Sequence, residues 1–312
     1  MRRVLARIGA GLRTRGAASL ERRLTWILGS PRSGSTWLTG MLSADPRAIA
    51  IDEPTVGVHL GVLMLDYVSV RPDRVPADQL RVNDVRAELP SYFFSRHFEN
   101  AWRPPLRRLL LERLGAEVAE AARARAIGDP LVLIKEPIGS QAADIIMSLL
   151  PRSRMIFLLR DGRDVIDSEL DAFREGGWVA RRLAGYRTSE DDRTAFVKAR
   201  AHAWLCRTIA VERAYEAHAP DLRRLVRYED LLADPTRHVQ ALATWLRLDT
   251  DSERLAERVR ETSFEELDPS DRGPGQFARA ASPGAWRENL TPAEQRLIDE
   301  IIGEKLAALG YD

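Results

Sequence analysis

Cysteine and lysine are scarce in this chain of 312 residues. Its single cysteine, Cys206, excludes an internal disulfide and a cysteine-based structural zinc site, and the helix-like run around it predicts a buried structural thiol. Lysine occurs only at positions 135, 198 and 305, so arginine supplies nearly all the basic side chains. The formal net charge is only +1, which argues against a general nucleic-acid binder.

Long apolar runs are also missing. The first 24 residues contain seven arginines, and their apolar residues are too few and too interrupted for a signal-peptide core or a membrane span. We therefore expect a cytoplasmic protein without a transmembrane segment. Its basic N-terminal segment, residues 1–24, is a candidate for peripheral contact with an anionic membrane surface, and a solvated helix is the alternative. The sequence assigns no oligomeric state.

Short apolar runs recur between helical patterns, as is typical of a parallel α/β sheet flanked by helices. They lie at 26–28, 131–134, 155–159 and 225–226. We predict a single domain over residues 25–312, with a helical insertion at about 57–127 that contains proline breaks such as Arg103-Pro-Pro105. Ligands bind at the carboxyl edge of such sheets, so the insertion is expected over that edge, where it would supply a ligand pocket.

The junction after the first apolar run predicts an anion site. Gly29-Ser-Pro-Arg-Ser-Gly-Ser-Thr-Trp37 is a small-residue loop that opens into a helical pattern. Backbone N–H groups and the helix dipole converge at such a junction and attract phosphate or sulfate. Gly29 to Gly34 matches the spacing of a nucleoside-triphosphate loop, but Ser35 stands where the lysine of that loop belongs. The missing lysine favours a donor that lacks a triphosphate.

The whole string Pro31-Arg-Ser-Gly-Ser-Thr-Trp37 resembles the 5′-phosphosulfate-binding loop of sulfotransferases that use 3′-phosphoadenosine 5′-phosphosulfate (PAPS). The resemblance implies a P-loop-NTPase-like fold. It also implies that the loop binds the donor through Pro31, Arg32, Ser33, Gly34, Ser35, Thr36 and Trp37.

Three further segments resemble the same family, in the family's order. Arg160 and Ser168 have the spacing of its 3′-phosphate site, where an arginine fork and a hydroxyl suit a phosphate. Tyr228 lies in a segment similar to one that approaches the adenine. The stretch from 279 to 289 is similar to the C-terminal loop that wraps the 3′-phosphate, and its matching residues are Arg279, Gly284, Trp286 and Arg287.

Two positions depart from that C-terminal loop. Ala280 and Ala281 stand where lysine and glycine are usual in the cytosolic enzymes. Some phosphate contacts are therefore expected from Arg287 or from backbone amides instead.

The resemblance also implies a chemistry. Sulfuryl transfer develops less charge than phosphoryl transfer, so arginine, lysine and backbone N–H groups can neutralise the leaving phosphate without a metal. Arg32 is the candidate for the leaving 5′-phosphate and bridging oxygen. Lys135, at the end of a predicted strand, is expected to assist it.

The acceptor hydroxyl needs a base. Cytosolic members use a histidine two residues after the lysine, but Pro137 occupies that position here. Tyrosylprotein and many carbohydrate sulfotransferases use a glutamate downstream of the loop's helix, which Glu53 matches by spacing. Glu136 is the competing base, although strand neighbours face opposite sides of a sheet and Glu136 would then point away from Lys135. His59 is a weaker candidate.

The sequence therefore predicts a PAPS-dependent sulfotransferase, a bacterial member nearer to the carbohydrate and tyrosylprotein type. It would act on an acceptor hydroxyl of a carbohydrate, glycoconjugate or natural product, with adenosine 3′,5′-bisphosphate (PAP) as product and no metal. A small-molecule kinase and a non-catalytic PAP binder are the alternatives.

Overall fold

The computed structural model describes residues 16, 18–61, 89–91, 93–182, 193–279 and 281–311. Its centre is a five-stranded, all-parallel sheet with the strand order β2-β3-β1-β4-β5. The strands are β1 (Leu24–Gly29), β2 (Ala48–Asp52), β3 (Leu131–Lys135), β4 (Arg154–Leu159) and β5 (Arg223–Arg227). Because all five are parallel, their carboxyl ends share one edge of the sheet.

The predicted parallel sheet is confirmed, and the strand that the prediction missed is β2. Every residue of β1 is buried, and its apolar side chains alternate between the two faces of the sheet: Trp26 belongs to one core cluster and Ile27 to the other. In contrast, β2 is a short edge strand in which Ala50 and Asp52 are exposed. Its apolar signal is therefore weak in the sequence.

Helices cover both faces of the sheet. They are α1 (Ser35–Leu42), α2 (Val56–Leu60), α3 (Glu99–Ala124), α4 (Ala143–Leu149), α5 (Gly162–Phe173), α6 (Trp178–Arg182), α7 (Arg193–Ala217), α8 (Tyr228–Ala233), α9 (Pro235–Leu246), α10 (Ser252–Glu261), α11 (Trp286–Asn289) and α12 (Pro292–Ala308). One core cluster joins the sheet to α3, α4, α5, α7 and α12, and the other joins it to α1 and α9. Cys206 is buried in α7, as predicted.

The described part of the predicted insertion has two helices with different positions. α2 begins at the carboxyl edge, close to the end of β2. α3 packs on β2 and α4 and extends toward the opposite edge, where Arg125 donates a hydrogen bond of 2.6 Å to the carbonyl oxygen of Ala48 at the start of β2. Residues 62–88 and residue 92 lie outside the described residues.

The predicted proline break at Arg103-Pro-Pro105 is wrong, because α3 continues through Pro104 and Pro105. Both prolines lie in the second turn, where their missing N–H groups leave two backbone hydrogen bonds unformed near the helix start. Further along, α3 buries four apolar side chains against the core, and this packing holds the helix. They are Leu110, Leu111, Leu114 and Val118.

Only the last part of the basic N-terminal segment belongs to the described residues. Residues 1–15 and 17, with the predicted membrane contact, lie outside the described residues, and residues 18–23 are helical. Within the described part of the chain, no helix is both long and apolar enough to cross a bilayer.

Candidate active site

The loop between β1 and α1 has the geometry of an anion cradle. Gly34 is the residue before α1 and has a φ of 86°, in the left-handed region that favours glycine. The hydrogen bond from the N–H of Leu38 to the carbonyl of Gly34 (3.0 Å) is the first of the helix. The N–H groups of residues 35–37 therefore precede the helical ladder and are available to an anion at the helix start.

Ser33 shapes this loop from within. Its side chain is fully buried, and its hydroxyl donates a hydrogen bond of 2.6 Å to the carbonyl of Ser30. The backbone N–H of Ser33 also points to that carbonyl, at 3.3 Å. The structure thus places Ser33 under the loop as a stabiliser of its turn, and its predicted contact with the donor stays a prediction.

Lys135 brings together the loop, β2 and β3. Its Nζ lies 2.9 Å from Oγ1 of Thr36 at the start of α1, 2.6 Å from Oδ1 of Asp52 and 3.1 Å from Oε1 of Glu53. Lys135 itself is buried, because it ends β3 beside β1 in the middle of the sheet. Lys135 therefore links the loop, through Thr36, to the end of β2, through Asp52 and Glu53.

The two candidate carboxylates differ in their exposure and in their partners. Glu53 follows β2 directly, and its side chain is 29% exposed beside Nζ of Lys135. Glu136 is 1% exposed and accepts hydrogen bonds from the backbone N–H groups of Thr55 (3.0 Å) and Gly57 (2.9 Å). Burial raises the pKa of Glu136 to about 7, against the opposing effect of those two N–H groups.

Arg160 and Tyr228 form the wall of the site next to the loop. Nη1 of Arg160 donates a hydrogen bond of 2.6 Å to the carbonyl of Arg32, and its guanidinium lies 4.3 Å from the centre of the Tyr228 ring. Tyr228 is the first residue of α8 and packs edge-on against Trp37 of α1, with 6.4 Å between the ring centres. Burial raises the pKa of the Tyr228 hydroxyl, which keeps it protonated.

Arg32 lies beside Ser168 of α5. Its Nε donates to Oγ of Ser168 at 3.0 Å, and its Nη2 donates to the carbonyl of Phe277. The rings of Trp178 and Phe277 lie 5.7 and 5.2 Å from its guanidinium. Burial and then the neighbouring charge of Arg160 lower the pKa of Arg32 to about 10, so the group remains cationic near neutral pH.

One face of α5 holds the C-terminal loop through three aspartates at positions i, i+3 and i+7. Asp164 accepts from the N–H of Gly284 at 2.8 Å, and Asp171 accepts from the N–H of Gly275 at 2.6 Å. Between them, Asp167 pairs with Arg279 and accepts a second hydrogen bond from Asn289 at 3.0 Å. The ion pair keeps the pKa of Arg279 above its usual value in spite of burial. Arg279 is thus held at Asp167, the residue that precedes Ser168 in α5.

Trp286 is the first residue of α11, and its ring makes cation–π contacts with two arginines. The guanidinium groups of Arg163 and Arg287 lie 4.3 and 4.5 Å from its ring centre. Arg163 is also held by the carboxylate of Asp161, through hydrogen bonds of 3.0 Å from Nε and 2.8 Å from Nη2. The tryptophan therefore fixes the C-terminal loop against the start of α5.

Sequence reasoning missed the residues that support these groups. The aspartates at 164, 167 and 171 have the spacing of one helix face, which is a signal that the sequence contains. Trp178 and Phe277 gave no such signal, because they reach Arg32 from distant segments. Among the described residues, no group of three or more His, Cys, Asp or Glu side chains could hold a metal ion.

A small-residue loop at a helix start, with several guanidinium groups beside it, makes this an α/β protein with a site suited to an anionic group. The sequence model of the sulfotransferase family matches residues 25–252, well over half of the chain. The chain belongs to the sulfotransferase family, and the prediction of a sulfotransferase is confirmed. A search of the curated proteins found no significant match.

Solved structures show the same fold. A mouse sulfotransferase complexed with PAP has a TM-score of 0.51 and 15% identity, over 90% of this chain and 83% of that one. A retinol dehydratase in complex with androsterone and inactive cofactor PAP has a TM-score of 0.50 and 18% identity, over 91% and 81%. A sulfotransferase from Mycobacterium avium has a TM-score of 0.50 and 15% identity, over 93% and 77%. The predicted P-loop-like fold is confirmed.

Proposed function

We propose that this protein transfers a sulfuryl group from PAPS to an acceptor hydroxyl of a carbohydrate, glycoconjugate or natural product, with Glu53 as the general base. One observation carries the proposal: Nζ of Lys135 lies 2.9 Å from Oγ1 of Thr36 and 3.1 Å from Oε1 of Glu53. A buried cation, a hydroxyl of the anion-binding loop and a half-buried carboxylate thus meet at one point at the start of α1.

The residues present fit a donor with a 5′-phosphosulfate. The free N–H groups at the start of α1 suit its anionic end. Gly34 allows the Tyr228 ring to pack against the loop, since a Cβ there would lie 2.7 Å from that ring. Oγ of Ser30, at the start of the same loop, is buried without a hydrogen-bond partner among the described residues. We assign the 5′-phosphosulfate to this loop, with Pro31, Thr36 and Trp37 at its border.

The arginines beside Ser168 support a site for the 3′-phosphate. Arg160 donates to the backbone carbonyl of Arg32, and Arg279 pairs with Asp167, the residue before Ser168. Nε of Arg160 is buried and, among the described residues, has no hydrogen-bond partner. A buried donor of this kind is costly unless a ligand supplies the acceptor. A phosphate dianion would supply it and would offset three neighbouring positive charges.

In the proposed step, a new sulfur–oxygen bond forms to the acceptor while the bond from sulfur to the phosphate oxygen breaks. Glu53 accepts the proton of the acceptor hydroxyl, and Lys135 stabilises the electron pair left on the phosphate oxygen. Lys135 has three N–H groups, which Thr36, Asp52 and Glu53 engage. The Asp52 side chain is 75% exposed, so its contact with Lys135 is the easiest to exchange for the leaving oxygen.

The geometry favours Glu53 over Glu136 as the base. Glu53 is accessible from solvent, whereas both oxygens of Glu136 are engaged by backbone N–H groups in a buried position. The arrangement also argues against the kinase alternative. Ser35 is buried at the position of the triphosphate-binding lysine, and Lys135 approaches from β3 with a carboxylate partner instead.

The test uses radiolabelled PAPS and a set of acceptor hydroxyls: a monosaccharide, a disaccharide glycoside, a simple phenol and a hydroxysteroid such as androsterone, the compound bound in the retinol dehydratase complex. Transfer of label to one acceptor class, lost in Glu53→Gln, supports the proposal. Transfer of the γ-phosphate from magnesium-ATP would support the kinase. Tight binding of PAP without transfer to any acceptor would support the non-catalytic binder.

A further inference from the structure

The segment that carries Glu53 has an unusual backbone. Glu53 has a φ of 47° and Thr55 has a φ of 55°, both in the left-handed region that residues other than glycine seldom adopt. Pro54, between them, fixes its own φ and restricts the residue before it. Two left-handed residues around a proline do not hold their conformation by local preference, so contacts from outside the segment must stabilise this turn.

Those contacts come from the end of β3. The N–H of Glu53 donates a hydrogen bond of 2.8 Å to the carbonyl of Lys135. The carboxylate of the next residue, Glu136, then accepts from the N–H of Thr55 through Oε2 (3.0 Å) and from the N–H of Gly57 through Oε1 (2.9 Å). One buried side chain thus satisfies two backbone donors of the turn and of the first residues of α2.

The surroundings fix the Glu136 carboxylate in turn. A Cβ on Gly139 would lie 1.9 Å from Oε1 of Glu136, and a Cβ on Gly57 would lie 1.7 Å from the carbonyl oxygen of Gly139. Only glycines allow this close approach. Oγ of Ser140 donates to the carbonyl of Glu136 and accepts from the N–H of Gly29, both at 2.9 Å. Glu136 is therefore tied to the end of β1, where the anion-binding loop begins.

We propose that Glu136 is a positioning residue, whose carboxylate holds the turn over 53–57 so that Oε1 of Glu53 stays beside Nζ of Lys135. The proposal rests on the proposed function of Glu53 as the base. It gives a role to the second glutamate of this region, which the sequence offered only as a competing base. Both oxygens of Glu136 are engaged by backbone N–H groups of this turn, so its proposed effect on the reaction is through Glu53.

The test compares Glu136→Gln with Glu294→Gln. Glutamine keeps the volume but replaces one acceptor oxygen with an NH₂ group, so one of the two backbone N–H groups loses its partner. Glu294 is the control, because its carboxylate is also buried and also accepts a backbone N–H, from Thr291 just before α12 at 2.8 Å. Unlike Glu136, it also pairs with Arg193, so its replacement is the more disruptive of the two for stability. The activity probe is the most active acceptor of the screen above with PAPS, or PAPS cleavage by water where no acceptor responds.

We expect Glu136→Gln to lower kcat by about 10- to 100-fold, as misplacement of a catalytic group by about 1 Å can do, with the Kd for PAP changed by less than about threefold. Hydrogen exchange of the Thr55 and Gly57 amides should become faster than in the wild type. Glu294→Gln should change neither kcat nor the exchange of the Thr55 and Gly57 amides. An unchanged kcat or unchanged exchange in Glu136→Gln would overturn the proposal.

The double variant Glu53→Gln/Glu136→Gln separates this proposal from the proposed function. If Glu136 acts through Glu53, the second substitution should lower kcat little further once Glu53 is lost. Equal losses in both backgrounds would show a general structural role and overturn the positioning proposal alone. If Glu53→Gln keeps wild-type turnover, or if neither transfer nor cleavage of PAPS occurs, the proposed function fails and this proposal fails with it.

Discussion

Oε1 of Glu53 lies 3.1 Å from Nζ of Lys135, although the two residues are 82 positions apart in the chain. The register of the sheet explains this contact. Asp52, the last residue of β2, pairs with Lys135, the last residue of β3, so the next residue along β2 emerges beside the lysine. The left-handed turn at Glu53 then directs its carboxylate back toward the start of α1. The fold itself thus joins the proposed base to the group that would stabilise the leaving oxygen.

Replacing the proposed base should lower turnover without loss of donor binding. We expect Glu53→Gln to reduce kcat by about 10²–10⁴-fold, the range typical of general-base catalysis, with the Kd for PAP nearly unchanged. Steady-state kinetics with PAPS and calorimetry with PAP measure the two quantities. Asp52→Asn is the matched comparison, because Asp52 also contacts Lys135 but is 75% exposed. Asp52→Asn should lower kcat much less than Glu53→Gln does. Equal losses of kcat in the two variants would mean that Glu53 acts only through its charge beside Lys135 and not as the base.

The buried pair of Arg279 and Asp167 should couple donor binding to stability. Removing Arg279 leaves the carboxylate of Asp167 with fewer partners in a site where its side chain is only 4% exposed. We expect Arg279→Ala to lower the free energy of unfolding by about 3–5 kcal/mol and to weaken PAP binding. The double variant Arg279→Ala/Asp167→Ala should recover part of the stability in chemical denaturation but none of the affinity. Recovery of the affinity would contradict a role for Arg279 at the phosphate.

Gly34 should not tolerate a side chain. Alanine there costs about 1–2 kcal/mol from the left-handed backbone alone, and its Cβ would also lie 2.7 Å from the Tyr228 ring. We expect Gly34→Ala to weaken PAP binding by about tenfold or more, because the loop must shift to relieve the strain and the clash, and a loss of about 1.4 kcal/mol of binding free energy corresponds to a factor of ten. Gly128→Ala is the control, because a Cβ at Gly128 meets nothing within 4 Å. Equal affinity of the two variants would argue against the loop as the donor site.

His202 should make the protein less stable in acid. It is 7% exposed in α7, and burial, with Lys198 as a smaller cause, lowers the pKa of its imidazole to about 4 from an ordinary value near 6.5. Between these two values the unfolded chain binds a proton that the folded chain does not. Stability is therefore lost as the pH falls from about 6.5 to about 4, and the loss stops below that window.

The lowered pKa of His202 should reduce the free energy of unfolding by about 3 kcal/mol across this pH window. Glu136 has the opposite effect, because its raised pKa makes the folded state bind the extra proton between its ordinary pKa of about 4.5 and about 7. The comparison with His202→Gln isolates the histidine, since both proteins contain Glu136. Urea denaturation at pH 7 and pH 4 should show a smaller loss in the variant, and equal losses would contradict the assignment.

The parts of the site that the sequence predicted are those built from contiguous residues. The anion-binding loop from 30 to 37 combines a strand end, glycine and a helix start in one segment, so its geometry follows from local rules. Lys135 was singled out at the end of a predicted strand, whereas Glu53 came from the family resemblance alone, because β2, the strand before it, was not predicted. The proline break predicted in α3 is wrong, because tertiary packing outweighs the local penalty of two prolines.

The remaining features depend on tertiary structure. Arg32 was predicted beside the leaving oxygen, but its guanidinium is directed toward Ser168 and held by the carbonyl of Phe277, from a segment about 245 residues away. The sequence contains no signal for that direction, since a long side chain selects its rotamer from its neighbours. Its role at the 5′-phosphate stays a prediction. The turn over 53–57 could likewise not be predicted from the sequence, because its left-handed residues are stabilised by Glu136, which is distant in the chain.

Calorimetric titration of PAP, 5′-AMP and magnesium-ATP, repeated with Arg160→Ala, tests the central claim most directly. It needs no acceptor, because the feature that distinguishes the ligands is the 3′-phosphate. We predict a clear preference for PAP that Arg160→Ala reduces by about 10- to 100-fold, the range for a lost hydrogen bond to a charged group of about 1.5–3 kcal/mol. Preference for magnesium-ATP, or equal affinity for PAP and 5′-AMP, would contradict the assignment of PAPS as the donor.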